Sequence, residues 1–457
     1  MIRIGYASGY WGDDPQALER LLENPPSLDY IAMDYLAETT MAVLKRQHEN
    51  DPSLGYARDF PTHVAGVLEQ LMEQDVTLLA NAGGVNPEAC RDAVFEIAET
   101  VDEPVTVAAI SGDDILDQIP DFHDQGVTFE NMDTGASFEN IEDDLVSANA
   151  YLGAFPITEA LEADPDLVIT GRCVDAALVM GPLIHEFDWR ADEYDLLASS
   201  AVAGHVLECG VQSTGGIFTD WQEVDFDQMG FPIAEFESNG DFVVTKPENT
   251  GGMVTTETVK EQLVYEIKDP SAYPLPDVTV DFTSLSLEQV GEDRVAVTNC
   301  SGNEPPESLK VTALYEDGYK AQLLFLYSWP DALEKAQEGK EIVRQRLNNV
   351  GVNIEFMADF IGYDGVHPGM APEPDDPNEI VLRLAVKADE KEPIYEFGKQ
   401  ALAIATGGPP TFIQVESGRP KPKDVLAFWP CTVPKENVSP EVTVDTTNPK
   451  VLVEEDD

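Results

Sequence analysis

The chain has 457 residues, of which 86 are acidic and 27 basic, giving a formal net charge of −59, and 43% are hydrophobic. So acidic a surface repels nucleic acid and anionic membranes, and no apolar run approaches the roughly 20 residues that span a bilayer, so neither partner is expected. The length exceeds the usual domain size of about 100–200 residues, and two domains are expected.

The acid is spread over the whole chain, with one short terminal run at Val453-Glu-Glu-Asp-Asp457. Self-repulsion of that size opposes a compact state in dilute buffer, whereas molar salt shortens the Debye length to about 3 Å and removes the penalty. A halophilic protein of a salt-rich cytoplasm is the expectation. The opening Met1-Ile-Arg-Ile-Gly-Tyr-Ala7 lacks the basic and apolar regions of a secretory leader, which fits a cytoplasmic location. Five cysteines, Cys90, Cys173, Cys209, Cys300 and Cys431, lie far apart with no Cys-x-x-Cys pair, and suit a reducing compartment as small buried hydrophobes.

Short apolar runs alternate with helix-length amphipathic stretches from the start, the pattern of βαβ units. Strands are expected at Ile2 to Tyr6, Tyr30 to Met33, Val76 to Ala80, Val105 to Ile110 and Leu167 to Thr170. Helices are expected at Pro15 to Glu23, Ala37 to Glu49, Thr62 to Gln74, Pro87 to Glu99, Ser147 to Ala163, Ala176 to Glu186 and Leu196 to Cys209. Beyond about residue 250 the pattern turns to alternating strands, such as Val278 to Phe282 and Arg294 to Thr298, and a second domain is expected there. It would hold a hairpin of Leu309 to Tyr315 and Tyr319 to Tyr327 around Glu-Asp-Gly, a helix from Pro330 to Asn349, strands Ile354 to Ile361 and Glu379 to Val386, and a helix from Pro393 to Ala405. The fold expected is therefore α/β: a mostly parallel open N-terminal sheet with flanking helices over residues 1–250, then an α+β domain over 251–457, with a ferredoxin-like order as one option.

In an open parallel sheet, ligands bind beyond the carboxyl ends of the strands, where βα loops and helix N-termini meet. The five loops there carry Gly9/Gly12/Asp13/Asp14, Asp34/Glu38, Asn81/Gly83/Gly84/Asn86/Glu88, Gly112/Asp113/Asp114 and Gly171/Arg172/Asp175. Glycines let backbone N–H groups approach an anion, so a carboxylate, phosphate or CoA-like ligand suits this rim. Gly9, Asn81, Gly83, Gly84, Asn86 and Arg172 are the binding candidates, although Asn81-Ala-Gly-Gly84 also reads as a tight turn. Arg172 is either a bidentate clamp for an anion or the partner of Asp175 in an ion pair. Neither the Gly-x-Gly-x-x-Gly fingerprint nor a Walker lysine is present, so no NAD or ATP site is expected.

His205 and Glu208 are three apart on one helix face, a spacing that pairs an acid with a base, supplies two metal ligands, or belongs to a core histidine. A third ligand would have to come from Asp34, Asp113, Asp175 or His185. Cys209 is a further candidate, as a nucleophile.

At the blocks Asp34–Met41, Asn81–Cys90, Ala148–Gly153, Ile169–Asp175, Gly181–Phe187 and Ala203–Gly210 the sequence resembles the acyclic terpene utilisation protein family, AtuA, and the similarity continues through Lys246–Gly252. The resemblance implies a place in acyl-CoA catabolism of acyclic terpenoids, beside a biotin-dependent acyl-CoA carboxylase, with lyase cleavage of a branched 3-hydroxyglutaryl-CoA as a proposed step. It also implies that a small extra C-terminal domain found in some members would here be a separate polypeptide. The expected activity is an enzyme on a branched acyl-CoA or carboxylate, with Asp34, Asp113, Asp175, His205 and Glu208 as acid–base groups and with a divalent metal as an optional electrophile. The alternative is a non-catalytic acyl-CoA-binding or carboxylase-associated subunit. A homo-oligomer is left open.

Overall fold

Continuous apolar runs of four to six residues build the centre of the protein. The computed structural model describes residues 1–24, 26–98, 104–370, 372–415 and 418–447. The expected helix end at Glu99 and the acidic run Val453–Asp457 lie outside them. The chain forms two compact units, Met1–Leu314 with Phe428–Asp457, and Tyr315–Ala427.

In the first unit, strands β1 (Ile2–Tyr6), β2 (Tyr30–Met33), β3 (Thr77–Ala80), β4 (Thr106–Ser111), β5 (Leu145–Ala150) and β6 (Leu167–Thr170) follow one another in the chain. Five of them lie in the order β1-β2-β3-β6-β4, each parallel to its neighbour. Their middle residues, Ile4, Ile31, Leu79, Ala108 and Val168, are wholly buried. Sequences such as Thr-Leu-Leu-Ala and Leu-Val-Ile-Thr have no polar face because both faces are covered. One group of helices, Ala17–Glu23, Asp59–Gln74 and Pro87–Ala98, packs together, and a second comprises Phe155–Leu161, Ala177–Phe187 and Tyr194–Leu207.

The sheet is ten-stranded and mixed, not mostly parallel. The antiparallel hairpin Ile233–Phe236/Phe242–Thr245 adds to β1, and Arg294–Thr298 and Ser286–Gly291 extend it further. At the other edge, Glu441–Thr446 runs antiparallel to β4. The pairs Ile233–Phe236/Phe242–Thr245 and Ser286–Gly291/Arg294–Thr298 are each joined by a short turn, which permits an antiparallel pairing that crossover-linked strands do not adopt. Their attachment is also why residues 251–314 group with the first unit, whereas the sequence reading began a second domain near residue 250.

Two local expectations are corrected. The segment from Ser147 does not open a helix: Leu145–Ala150 is a strand, and the helix begins only at Phe155, with Pro156 in its first turn. The hairpin around Glu316-Asp317-Gly318 is instead one strand, Ser308–Ser328, which passes through Gly318 at φ +74°.

In the second unit the strand order is Glu355–Ile361, Glu379–Ala388, Ser308–Ser328, Phe412–Gln414, with all neighbours antiparallel. The helices Ala332–Val350 and Lys391–Leu402 share its core, where Leu323, Phe325, Tyr327, Leu382, Leu384, Ile394 and Phe397 are buried. The alternation Ala321, Leu323, Phe325, Tyr327 against Lys320 and Gln322 is the period of two that puts one sheet face on that core.

Candidate functional site

Beyond the carboxyl ends of β1, β2 and β6 lies a cleft of about 1000 Å³, lined wholly by residues of the first unit. The loop after β1 supplies Gly9 and Asp13, with the Gly9 N–H donating to Asp13 Oδ2 at 2.8 Å. Asp34 follows β2 directly, and Arg172 and Asp175 follow β6. His205 and Glu208 come from the end of the helix Tyr194–Leu207. That helix approaches closely at Gly204, where a Cβ would stand 2.5 Å from the Cα of Ala176, which brings His205 to the Asp175 loop.

Arg172 is 4% exposed, and its Nη1 donates to the Leu36 carbonyl at 2.8 Å and to Asp175 Oδ1 at 2.9 Å. Its guanidinium carbon lies 4.3 Å from the centroid of the Tyr151 ring, a cation–π contact in a desolvated place. The ion-pair reading of Arg172 with Asp175 is thus realised within the cleft. Burial alone would lower the Arg172 pKa, but Asp175, Tyr151 and Asp34 outweigh it and raise it. Lys310 Nζ stands 4.6 Å from the centroid of the same ring and 3.6 Å from Glu38 Oε1. Tyr151 donates its hydroxyl proton to Glu38 at 2.8 Å.

His205 Nδ1 and Glu208 Oε1 are 2.8 Å apart. Burial raises the Glu208 carboxyl against the opposing pull of His205. For His205, burial would lower the pKa, but the Glu208 charge and hydrogen bond outweigh it and the net direction is up. Asp34 is pushed well above the carboxylate range, by burial first and the Asp175 charge second. On the cleft floor Arg172 pairs with Asp175 and Lys310 stands by Glu38, Asp13 and Glu266 add two further carboxyl groups to the lining, and burial pushes up the carboxyls of Asp34 and Glu208.

Above the floor the walls turn apolar, with Tyr265, Tyr273, Pro274, Leu275, Pro276, Phe282 and Leu309 on one stretch and Trp11, Val211 and Ile217 elsewhere. The Phe282 ring meets His205 edge-on at 5.4 Å between centroids.

Several candidates from the sequence do not line the cleft. Asn81 is fully buried, donates from Nδ2 to the Asp34 carboxylate and accepts the Tyr35 N–H at 2.7 Å, so it holds Asp34 in place from behind. Gly83 and Gly84 are pressed against backbone oxygens of Thr170 and Gly55 and leave no room for a ligand. Asn86 ties its own loop to the carbonyls of Pro52 and Leu54. Asp113 is 2% exposed and is absent from the lining; it accepts the Asn149 amide at 2.8 Å. Burial raises its pKa to about 7.

The Cys209 thiol is pushed up to about 12 by burial and by the charge of Glu208, the reverse of what a nucleophile needs. Among the described residues no group of three or more His, Cys, Asp or Glu could hold a metal ion; His205 and Glu208 bond each other. His185 lies at the end of the helix Ala177–Phe187, away from the cleft lining. Tyr151, Lys310 and the Tyr273–Phe282 wall were not singled out in the sequence. Tyr151 sits inside the block Ala148–Gly153, which did mark it indirectly.

The parallel strands of this mixed α/β chain end at a cleft lined by both ionisable and apolar residues. The chain belongs to the acyclic terpene utilisation family protein AtuA family, whose profile matches residues 2–444. No curated protein and no solved structure matches it. No helix among the described residues is long and apolar enough to cross a membrane.

Proposed function

We propose that the protein is an enzyme acting on a branched or acyclic-terpenoid acyl-CoA, with lyase cleavage of a 3-hydroxy-3-alkylglutaryl-CoA-type substrate as its reaction. The observation that carries the reading is the meeting of Asp34, Asp175, Arg172 and the His205–Glu208 pair on one cleft floor beneath apolar walls.

In this reading Arg172 orients the substrate's carboxylate or thioester oxygen while remaining paired with Asp175. His205, polarised by Glu208 through Nδ1, removes the proton of the 3-hydroxyl at Nε2, which has no partner among the described residues. The carbon–carbon bond to the thioester arm breaks, the hydroxyl carbon becomes a carbonyl, and the electron pair enters the thioester enolate. Asp34, whose carboxyl is pushed up by burial and by the Asp175 charge, delivers the proton that quenches the enolate. The walls take up the alkyl branch, where each buried methylene contributes about 0.8 kcal/mol. No step is routed through a metal, since no group of three or more His, Cys, Asp or Glu among the described residues could hold one. We read the second unit as ferredoxin-like and the host cytoplasm as salt-rich, both supported by the strand order and the charge.

The test is mass-spectrometric assay of protein purified in high salt against 3-hydroxy-3-methylglutaryl-CoA and homologues with longer branches. Conversion that is lost in His205→Ala and Asp34→Asn supports the reading. Turnover of a confirmed substrate that survives both Arg172→Ala and His205→Ala overturns it. Tight binding without turnover, indifferent to Asp34→Asn, would instead identify a binding subunit.

A further inference from the structure

Beside the cleft, and sharing Glu38, Tyr151 and Arg172 with it, lies a much smaller cavity of about 10 Å³ that is also lined by Asn149 and Thr312. Two atoms of its lining residues, the donor Arg172 Nε and the acceptor Asn149 Oδ1, are buried and find no hydrogen-bond partner among the described residues. Leaving such groups without a partner is costly, so orphans of opposite sense on two residues lining one cavity call for a bridge. The volume is about that of a single water, and a site with a donor and an acceptor meets what a buried water needs.

We infer that one water occupies this cavity, accepting from Arg172 Nε–H and donating to Asn149 Oδ1, and that through it Asp113 and Asn149 are positioning residues for Arg172. The inference deepens the functional reading above, in which Arg172 orients the ligand. The far side of Asn149 is already fixed, since its Nδ2 donates to Asp113 Oδ2 at 2.8 Å. The Asp113 carboxylate also takes a hydrogen bond from the Arg172 backbone. Asp113 therefore grips Arg172 twice, at the main chain directly and at the guanidinium through Asn149 and the water. With Nη1 bound to Leu36 and Asp175 and the plane against Tyr151, the water fixes the remaining inner edge of the fork.

A high-resolution crystal structure of the unmodified protein tests this. A density peak within hydrogen-bond reach of both atoms is expected, and a dry cavity overturns the inference. Structures of Asn149→Leu and Asp113→Leu should lose the peak and show the guanidinium turned from Tyr151 or disordered. An unchanged, ordered Arg172 in Asn149→Leu also overturns it. A dry cavity in an enzyme that still needs Arg172 removes this inference alone; a bound water with turnover indifferent to Arg172 leaves it standing and removes the functional reading.

Discussion

His205 and Glu208 lie one turn apart at the end of a helix, Nδ1 to Oε1 at 2.8 Å, with both side chains turned from solvent. The folded His205 pKa is raised, so its contribution to stability is complete below the unfolded value of about 6.5 and is lost as pH rises through the folded value. Glu208→Gln removes the charge that holds the imidazole protonated. The expected outcome is a lower His205 titration midpoint, read by NMR on histidine-labelled protein; an unmoved midpoint would show that the pair does not govern the ring.

Asp113 offers the opposite kind of control, a buried carboxyl whose folded pKa is about 7. Between its unfolded value near 4 and about 7 the folded state holds a proton that the unfolded chain has lost, so stability from this group falls as pH rises across that window. Asp113→Asn should flatten that fall, with a difference on the order of a few kcal/mol between the two ends. Thermal unfolding of both proteins at the two pH values in the same salt reads it directly, and parallel curves would count against a buried titrating Asp113.

Removing the Arg172 guanidinium strands Asp175 and Asp34 beside each other. Arg172→Ala should cost about 1–3 kcal/mol, less than breaking a fully buried pair because the Asp175 side chain is 32% exposed. Arg172→Lys should recover only part, because an ammonium cannot reproduce the flat contact of the guanidinium with the Tyr151 ring. Denaturant midpoints rank the three proteins, and a lysine variant equal to the wild type would contradict the geometric role.

A Cβ at Gly171 would collide with the Asp113 carboxylate and approach the Gly84 carbonyl at 3.1 Å. Gly171→Ala should therefore destabilise by about 1–3 kcal/mol and weaken ligand binding through Arg172. Calorimetric unfolding checks the first effect and titration with 3-hydroxy-3-methylglutaryl-CoA the second.

Salt should matter more than for an ordinary protein. With a net charge of −59, unfolding temperature should climb steeply from about 0.1 M to about 1 M potassium chloride as the Debye length falls from about 10 Å to about 3 Å. A flat profile would remove the halophilic reading.

Much of the site was legible because strand ends are legible. The strands closing at Tyr6, Met33 and Thr170 fall at the residues expected from their apolar runs, and the polar groups just beyond them, Gly9, Asp34, Arg172 and Asp175, do line the cleft. The strand-end rule says at which end of the sheet a residue sits, not whether its side chain points outward or down. That is why Asn81 and Asp113, equally polar and equally placed, prove to be supports beneath Asp34 and Arg172. Tyr151 and Lys310 had no local signal as partners, since the Tyr151 N–H meets the Lys310 carbonyl only through a strand pairing between distant segments. The strand at Leu145–Ala150 was missed for a related reason: its Ser, Ala and Asn content carries little strand propensity, and pairing with Ser308–Ser328 overrides it.

The ten-stranded sheet ends on Ser286–Gly291 at one side and Glu441–Thr446 at the other, both largely exposed and carrying Glu288, Glu441 and Asp445. A second chain that tried to add a strand at either margin would have to lay its backbone along like charges. Where salt screens long-range repulsion between molecules, these short-range acidic margins still discourage sheets from joining.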